Sequence, residues 1–162
     1  MKNYLYHGSS TSGIQELEPR VSLEYKKLVY ATPDFRYALV RAGRQIDMIR
    51  EEYYALDEPF ELAECYPDAF KKMFSCTGYI YLLDPKDFVK SNDLEYVSEK
   101  PVKPIKVLTI DNIWSEMLHH KEWYKFVPYY DADFWNTVRG GLDGYLARKR
   151  AAKKKMMEMQ AT

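Results

Sequence analysis

The residue types with the clearest chemical potential stand near the N-terminus, where a short aromatic and aliphatic run, residues 4–6, ends in His7, Gly8 and Ser9. At the end of a strand, a histidine can donate a ring N–H to a hydroxyl group, and the glycine after it lets a ligand approach the backbone closely. Ser9 adds a hydroxyl contact. The same residues also fit an ordinary transition from strand to turn, in which Gly8 and Gly13 serve only the turn.

Three stretches, taken in order, resemble the ADP-ribosyltransferase superfamily, specifically the His-Tyr-Glu branch that includes diphtheria-type toxins and poly(ADP-ribose) polymerases. The spacing of roughly two dozen residues between the first two stretches, followed by a later strand, carries the resemblance. It covers residues 4 to about 110 and leaves about the last 50 residues without a counterpart. The stretches are Tyr6-His7-Gly8-Ser9, Val29-Tyr30-Ala31-Thr32 leading into a helix with Ala38, and Glu95-Tyr96-Val97.

This resemblance implies that the protein binds NAD as a substrate and transfers ADP-ribose to a macromolecular acceptor, protein or nucleic acid. His7 would contact a ribose hydroxyl, Gly8 would exchange hydrogen bonds with the nicotinamide amide, and Tyr30 would stack on the nicotinamide ring. Tyr37, about two helical turns later, would close the other side of an aromatic sandwich. The residues implied to contact NAD are His7, Gly8, Ser9, Arg20, Tyr30, Ala31 and Tyr37.

The same resemblance implies that Glu95 completes a catalytic set with His7 and Tyr30. Cleavage of the nicotinamide glycosidic bond passes through an oxocarbenium-like transition state, which a carboxylate holding the ribose 2′-hydroxyl would stabilise. Glu99 lies four residues later, and in a strand both carboxylates point to the same face, so the assignment stays open between them. Either glutamate also fits a solvated charge at a strand edge.

Basic residues offer a contact for the pyrophosphate of NAD. Arg20, Lys26 and Lys27 lie between the first two predicted strands and could neutralise its two charges, although basic loop residues are usually just solvated. No GxGxxG or Walker sequence is present, so neither a Rossmann nor a P-loop mode of binding is predicted. RNA 2′-phosphotransferases, a related family, combine a histidine with several arginines; the arginines available for this alternative are Arg20, Arg36, Arg41, Arg44 and Arg50.

Composition limits the classes of protein to consider. The 162 residues suffice for one globular unit, and 24 Lys+Arg against 24 Asp+Glu give no overall positive field that would coat nucleic acid. The two cysteines are expected to be reduced thiols. The sequence has no metal-binding motif and no apolar run long enough to cross a bilayer. It therefore predicts a cytoplasmic protein without a metal and without membrane contact. Most of the 15 tyrosines are expected to be architectural.

The predicted elements are mixed, with strands and helices interleaved early, strands in the middle and helices at the end. This order favours an α+β fold, and the resemblance implies a split β-sheet core of the ADP-ribosyltransferase type with flanking helices. Residues 1–130 are expected to form that domain, and residues 131–162 a helical basic extension of the same globular unit. The strands are predicted at 3–7, 27–31, 78–83, 94–98 and 105–110, and the helices at 12–17, 33–49, 59–73, 112–124 and 132–159.

Six of the eight residues from Arg148 to Lys155 are basic. This segment fits either an arm that binds nucleic-acid phosphates or a partner, or a soluble tail whose cations favour the end of a helix. Two further functions therefore stay open beside the transferase: a non-catalytic protein of the same fold that binds a nucleotide or a partner, and an interaction protein with no ligand.

Overall fold

The computed structural model describes residues 3–22, 26–45, 49–53 and 58–161. Within these ranges the strands are β1 (Leu5–Ser9), β2 (Arg20–Val21), β3 (Lys27–Ala31), β4 (Ile49–Glu52), β5 (Phe60–Glu64), β6 (Gly78–Leu83), β7 (Val89–Asn92), β8 (Glu95–Ser98), β9 (Lys106–Ile110) and β10 (Tyr124–Val127). The α-helices are α1 (Phe35–Ala42), α2 (Ala69–Phe74), α3 (Ile113–His119), α4 (Ala132–Trp135) and α5 (Gly141–Gln160).

The strands form three sheets, with the orders β1-β6-β9, β2-β3-β8-β7 and β10-β5-β4. All neighbouring strands are antiparallel except β10 and β5, which are parallel. Largely antiparallel sheets with helices packed against them define an α+β fold, so the predicted α+β class is confirmed, whereas the ADP-ribosyltransferase type of sheet stays a prediction.

The first two sheets are joined at a single point between β1 and the end of β3. Tyr6 and Thr32 exchange both backbone hydrogen bonds there, with N–O distances of 2.8 and 2.9 Å. Beyond this bridge no further β1–β3 pair forms among the described residues. The two sheets therefore share one joint and diverge on the side where β1 continues to His7 and Gly8.

Apolar side chains fill the space between the first two sheets and under the helices. Leu5, Tyr81 and Leu83 from the first sheet pack with Val29 and Ala31 from the second in one buried cluster. A larger cluster lies beneath α1, α2 and α3 and contains most of the buried aromatic rings. These two clusters fix how β1, β3 and β8 lie relative to one another.

Helix α1 is shorter than predicted and begins later. Its N-cap is Asp34, whose side chain accepts a hydrogen bond from Arg36 N, whereas a helix that begins at residue 33, as predicted, would be capped by Thr32. Thr32 instead remains in the β1–β3 bridge, and its Oγ1 accepts from Asp34 N. The chain leaves the helix at Gly43 in an extended conformation, and Ile49, predicted to be helical, begins β4.

The other four predicted helices were wrong in whole or in part, and the one at 132–159 is divided into α4 and α5. Residues 60–64 form β5 because Phe60 and Leu62 alternate into the core and pair with two strands, and Pro67 precludes a continuous helix to residue 73. The predicted helix at 112–124 ends at His119, and Tyr124–Val127 forms β10, which pairs with β5. The stretch 12–17 is not helical, since Gly13 has φ +68° and Leu17 forms a bridge with Val102.

The C-terminal segment packs against the third sheet. Trp135 is buried with Ala63 and Val127, and Tyr145 and Leu146 of α5 lie against this cluster. Gly140 and Gly141 both have positive φ, which allows the sharp turn into α5. The position of a boundary at residue 131 stays a prediction.

Candidate functional site

His7 lies at the point where β1 and β3 separate. Its Nδ1 is 2.7 Å from the carbonyl oxygen of Tyr30. Because a carbonyl only accepts, Nδ1 carries the proton in this bond, and the neutral ring keeps its lone pair on Nε2. The ring is therefore prepared to accept a hydrogen bond from a hydroxyl at Nε2, rather than to donate the N–H that the sequence indicated.

The surroundings of His7 favour the neutral ring. Burial lowers the pKa of His7 below its ordinary value of 6.5, and the positive charges of Arg20 and Arg41 lower it further, against the opposing effect of the Tyr30 carbonyl. At neutral pH the ring is therefore an uncharged hydrogen-bonding group.

The backbone of Gly8 points toward the gap between the two sheets. In an antiparallel ladder, residues that exchange both hydrogen bonds with one neighbouring strand alternate along the chain. Since Tyr6 exchanges both bonds with Thr32, Gly8 presents its N–H and C=O to the same edge, where a continuing ladder would pair it with Tyr30. His7 takes the Tyr30 carbonyl instead, so the N–H of Gly8 is not used for that bond.

The Cα of Gly8 packs against α1. A Cβ at this position would lie 2.0 Å from the carbonyl oxygen of Ala38 and 2.8 Å from the amide nitrogen of Ala42. The absence of a side chain is therefore required by the close approach of α1, which is a second reason for glycine here besides access to the backbone.

Tyr30 and Glu95 share one face of the second sheet. Tyr30 lies opposite Val97, and Glu95 is two residues before Val97, so both side chains point to the same side. Such diagonal neighbours have Cα atoms about 7–8 Å apart. Both side chains are half-buried, and the Tyr30 hydroxyl is 2.6 Å from Ser22 Oγ.

The direction of β8 distinguishes the two candidate glutamates. Because β3 and β8 are antiparallel, Glu95 lies toward the Thr32 end of β3, which is the end joined to β1. Glu99 lies beyond the last residue of β8, at the far end from that joint, and is exposed. The structure brings Glu95 to the His7 side of the sheet and leaves Glu99 away from it.

The loop that follows β1 is fixed by Tyr81. Its hydroxyl donates to the carbonyl oxygen of Thr11 at 2.7 Å and accepts from Ile14 N at 3.2 Å. Ser9 Oγ accepts from Thr11 N at 3.1 Å, so this hydroxyl is engaged in the turn that follows His7. Ala31, the other residue of the implied NAD contact set, is buried in the cluster between the sheets and cannot meet a ligand through its side chain.

The basic residues between β1 and β3 differ in their placement. Arg20 is exposed on β2, opposite Leu28, and acts on the His7 ring. Lys26 and Lys27 are exposed at the start of β3. Of these three basic residues, Arg20 is therefore the one whose charge lowers the pKa of His7.

Tyr37 belongs to a cluster that the sequence did not indicate. Arg41 Nη2 lies 2.8 Å from the Tyr37 hydroxyl and 2.7 Å from Glu51 Oε1. The Tyr53 hydroxyl donates to that of Tyr37 at 3.1 Å, and their ring centroids are 4.7 Å apart. Tyr37 thus contacts Tyr53 and Arg41. Its role as the second ring of a sandwich with Tyr30 stays a prediction. This cluster joins α1 to β4, a contact between distant segments that no local pattern signals.

An open depression of about 480 Å³ lies at the start of α1 and is lined by Pro33, Asp34, Phe35, Arg36 and Trp123. Asp34 and Arg36 are ion-paired at 2.5 Å across its floor. None of the His7, Tyr30 and Glu95 side chains lines it. The Asp34 carboxylate and the Arg36 guanidinium in this depression are already paired with each other. We therefore define the candidate site by the register of the strands that carry His7, Tyr30 and Glu95.

The part of the chain that the structure describes contains neither a cluster of metal ligands nor a helix that could span a membrane. No three His, Cys, Asp or Glu side chains in that part are grouped to hold a metal ion. No helix within the same ranges is long and apolar enough to cross a membrane. Cys65 and Cys76 are both free thiols, as predicted.

The chain was compared with protein families, with curated proteins and with solved structures, and no match was found.

Proposed function

We propose that the protein is an NAD-dependent ADP-ribosyltransferase of the His-Tyr-Glu type, in which His7, Tyr30 and Glu95 carry the reaction. The observation that supports this most is the joint between β1 and β3. There His7 is bonded to the Tyr30 carbonyl, and Glu95 lies on the face of Tyr30 at the end of the sheet nearest to β1.

Each group has a defined task in this proposal. The backbone edge of Gly8 exchanges hydrogen bonds with the nicotinamide amide, and the ring of Tyr30 stacks on nicotinamide. His7 Nε2 accepts a hydrogen bond from a ribose hydroxyl. Arg20 faces the pyrophosphate, where a guanidinium offers paired N–H groups to phosphate oxygens.

Glu95 accepts the hydrogen bond of the ribose 2′-hydroxyl and opposes the positive charge that develops at C1′. The bond from C1′ to the nicotinamide nitrogen breaks, and its electron pair leaves with neutral nicotinamide. A lone pair of the acceptor forms the new bond to C1′, and the acceptor loses its proton to solvent. Attack from the face opposite nicotinamide inverts C1′.

The test is nicotinamide release from NAD by the purified protein and by two matched variants, Glu95→Gln and Glu99→Gln. Each removes one carboxylate charge with little change in shape. We expect Glu95→Gln to slow release by about 100-fold or more, since the loss of one group that stabilises transition-state charge typically costs that much, and Glu99→Gln to retain the rate. Release that survives Glu95→Gln but not Glu99→Gln would move the role to Glu99.

The non-catalytic alternative differs from the transferase in what happens after NAD binds. A protein that only binds NAD would show a heat of binding by calorimetry but no nicotinamide release above background. The absence of both at millimolar NAD would refute the transferase and the NAD-binding alternative together.

One observation also favours a second enzyme class, the RNA 2′-phosphotransferases. The positive charges of Arg20 and Arg41 both lower the pKa of His7, and guanidinium groups that act on a histidine suit a phosphate monoester as well as a pyrophosphate. NAD-dependent removal of an internal 2′-phosphate from an RNA oligonucleotide would support this class, and an unchanged oligonucleotide would exclude it.

A further inference from the structure

Helix α5 carries a half-buried stripe and an exposed remainder that is rich in cations. The stripe follows helical spacing and consists of Leu142, Tyr145, Leu146, Lys149, Ala152, Met156 and Met159. The exposed cations are Arg148, Arg150, Lys153, Lys154 and Lys155. They are distributed around the exposed part of the helix together with Asp143 and Glu158, and we call these five cations the basic face.

Charge in this protein is segregated although the total is zero. Helix α5 has six basic residues and two acidic ones, Asp143 and Glu158, which gives it a formal charge of +4. The rest of the chain therefore carries a formal charge of −4. The balanced composition that argued against nucleic-acid binding thus conceals one strongly positive surface.

The position of α5 relates this surface to the candidate site. The Tyr145 hydroxyl donates to the carbonyl oxygen of Ile49 in β4 at 2.9 Å. Gln160 Nε2 is 3.5 Å from the carbonyl oxygen of Val21 in β2. At about 1.5 Å per residue, the helix covers roughly 22 Å between these contacts.

The strand that α5 contacts at its C-terminal end is connected to the candidate site through Tyr30. Val21 precedes Ser22, whose Oγ lies 2.6 Å from the Tyr30 hydroxyl, and β2 pairs with β3, the strand that carries Tyr30. A ligand that extends along the basic face toward Gln160 therefore approaches the strand that carries Tyr30.

We infer that the basic face of α5 binds single-stranded nucleic acid and so supplies the acceptor for the reaction at His7, Tyr30 and Glu95. The binding stands on the charges and position of α5, whereas the role as acceptor rests on the proposed function. A phosphodiester backbone matches the net positive charge of this exposed surface. Enzymes that act on bases need them outside a duplex, which favours a single strand.

A lipid surface is a poorer match for the same residues. A helix that lies in a membrane interface inserts a large apolar face, and the apolar stripe of α5 already lies against the protein. Met157 is the large apolar side chain of α5 that is exposed, and one such side chain offers no apolar face to insert. Electrostatic contact with a soluble polyanion therefore suits α5 better.

Binding is measured first, without NAD. Fluorescence anisotropy follows a labelled single strand of about 16 nucleotides, as DNA and as RNA, between about 50 and 200 mM salt. The test variant is Arg150→Gln with Lys154→Gln. The control is Lys86→Gln with Lys103→Gln, which removes the same two charges from exposed positions outside α5.

We expect the test variant to lose about an order of magnitude in affinity, and its salt slope to decrease by about 1.4, since each phosphate contact to a single strand contributes about 0.7. The control should match the unmodified protein. Failure of the protein to bind either strand, or equal losses in both variants, would overturn the inference. Retention by anionic vesicles but not by oligonucleotides would overturn it in favour of a membrane, and binding confined to acidic polypeptides in favour of a protein partner.

The role as acceptor is tested with NAD present. We expect transfer of labelled ADP-ribose to the strand, a loss of that transfer in the test variant, and unchanged nicotinamide release in the same variant. If release occurs but no label reaches the strand, the inference about the acceptor fails while the proposed function stands. If binding occurs without any release, the proposed function fails while the nucleic-acid surface stands.

Discussion

Replacement of Gly8 by alanine tests the packing of β1 against α1 directly. The new Cβ would lie 2.0 Å from the Ala38 carbonyl oxygen and 2.8 Å from the Ala42 amide nitrogen. Ordinary contact to a Cβ begins at 3.4 Å, so the first contact is about 1.4 Å too short. Both atoms belong to the backbone and cannot rotate away. Relief therefore requires α1 to move from the sheet.

The cost of this movement is large relative to total stability. Inserting one methyl into a packed interior costs about 1–3 kcal/mol, and more when the structure cannot relax. Because α1 carries the fully buried Ala38, Leu39 and Ala42, its displacement also opens space in the main cluster. We expect Gly8→Ala to lower the free energy of unfolding by about 3 kcal/mol, out of a typical 5–15 kcal/mol.

Urea unfolding followed by far-UV circular dichroism measures this change. Gly13→Ala is the matched control, because Gly13 has φ +68° but a Cβ added there would have no atom within 4 Å, so its cost is the conformational 1–2 kcal/mol, or about half as much. Ala42→Gly in the Gly8→Ala background should not restore stability, since the atom contacted there is the amide nitrogen. A Gly8→Ala loss no larger than that of Gly13→Ala would refute the packing argument.

Three further predictions concern single side chains. The pKa of His7 is lowered in the folded state, so its contribution to stability is present above pH 6.5 and is lost as the pH falls through the folded pKa. His7→Gln should remove that part of the pH dependence of the unfolding free energy, which amounts to at most about 1.4 kcal/mol per pH unit. The control variant His119→Gln should leave that part in place. Burial raises the pKa of the Cys65 thiol to about 11. Native protein treated with iodoacetamide at pH 7.5 should therefore be alkylated at Cys76 well before Cys65. Mass spectrometry that finds Cys65 modified first would contradict this prediction. Tyr81→Phe removes both hydrogen bonds to the loop after His7 and should lower the free energy of unfolding in urea by about 1–3 kcal/mol. The same loop should become the earliest site of limited proteolysis. An unchanged midpoint of urea unfolding would show that the loop does not depend on these hydrogen bonds.

The sequence predicted those elements whose signal is local. The strand at 78–83 is rich in β-forming residues and bounded by Gly78 and a turn, and it became β6 with those bounds. Strand β5 was missed because spacing of three and four residues from Leu62 onward resembles a helix. Its state is decided by pairing with β4 and β10, which lie far away along the chain.

The candidate site shows the same division between local and distant information. Residue types and order suggested His7, Tyr30 and a glutamate, but the period of two in a strand cannot separate Glu95 from Glu99. Antiparallel pairing with β3 gives the two glutamates opposite positions relative to β1. The pairing of Arg41 with Glu51 could not be foreseen, because it depends on how α1 and β4 come together.

The joint between β1 and β3 explains why one short sequence, His7-Gly8, meets several demands at once. A ladder that stops after the Tyr6–Thr32 bridge leaves the Tyr30 carbonyl without its ladder partner, and a buried carbonyl without a hydrogen bond is costly. His7 supplies that bond from its side chain, which lets the two sheets separate and keeps the Gly8 backbone directed into the opening. Because α1 lies directly against the Cα of Gly8, the position of this backbone edge depends on the packing of α1. The proposed nicotinamide contact therefore depends on the packing that Gly8→Ala would disrupt, and loss of NAD binding should accompany loss of stability in that variant.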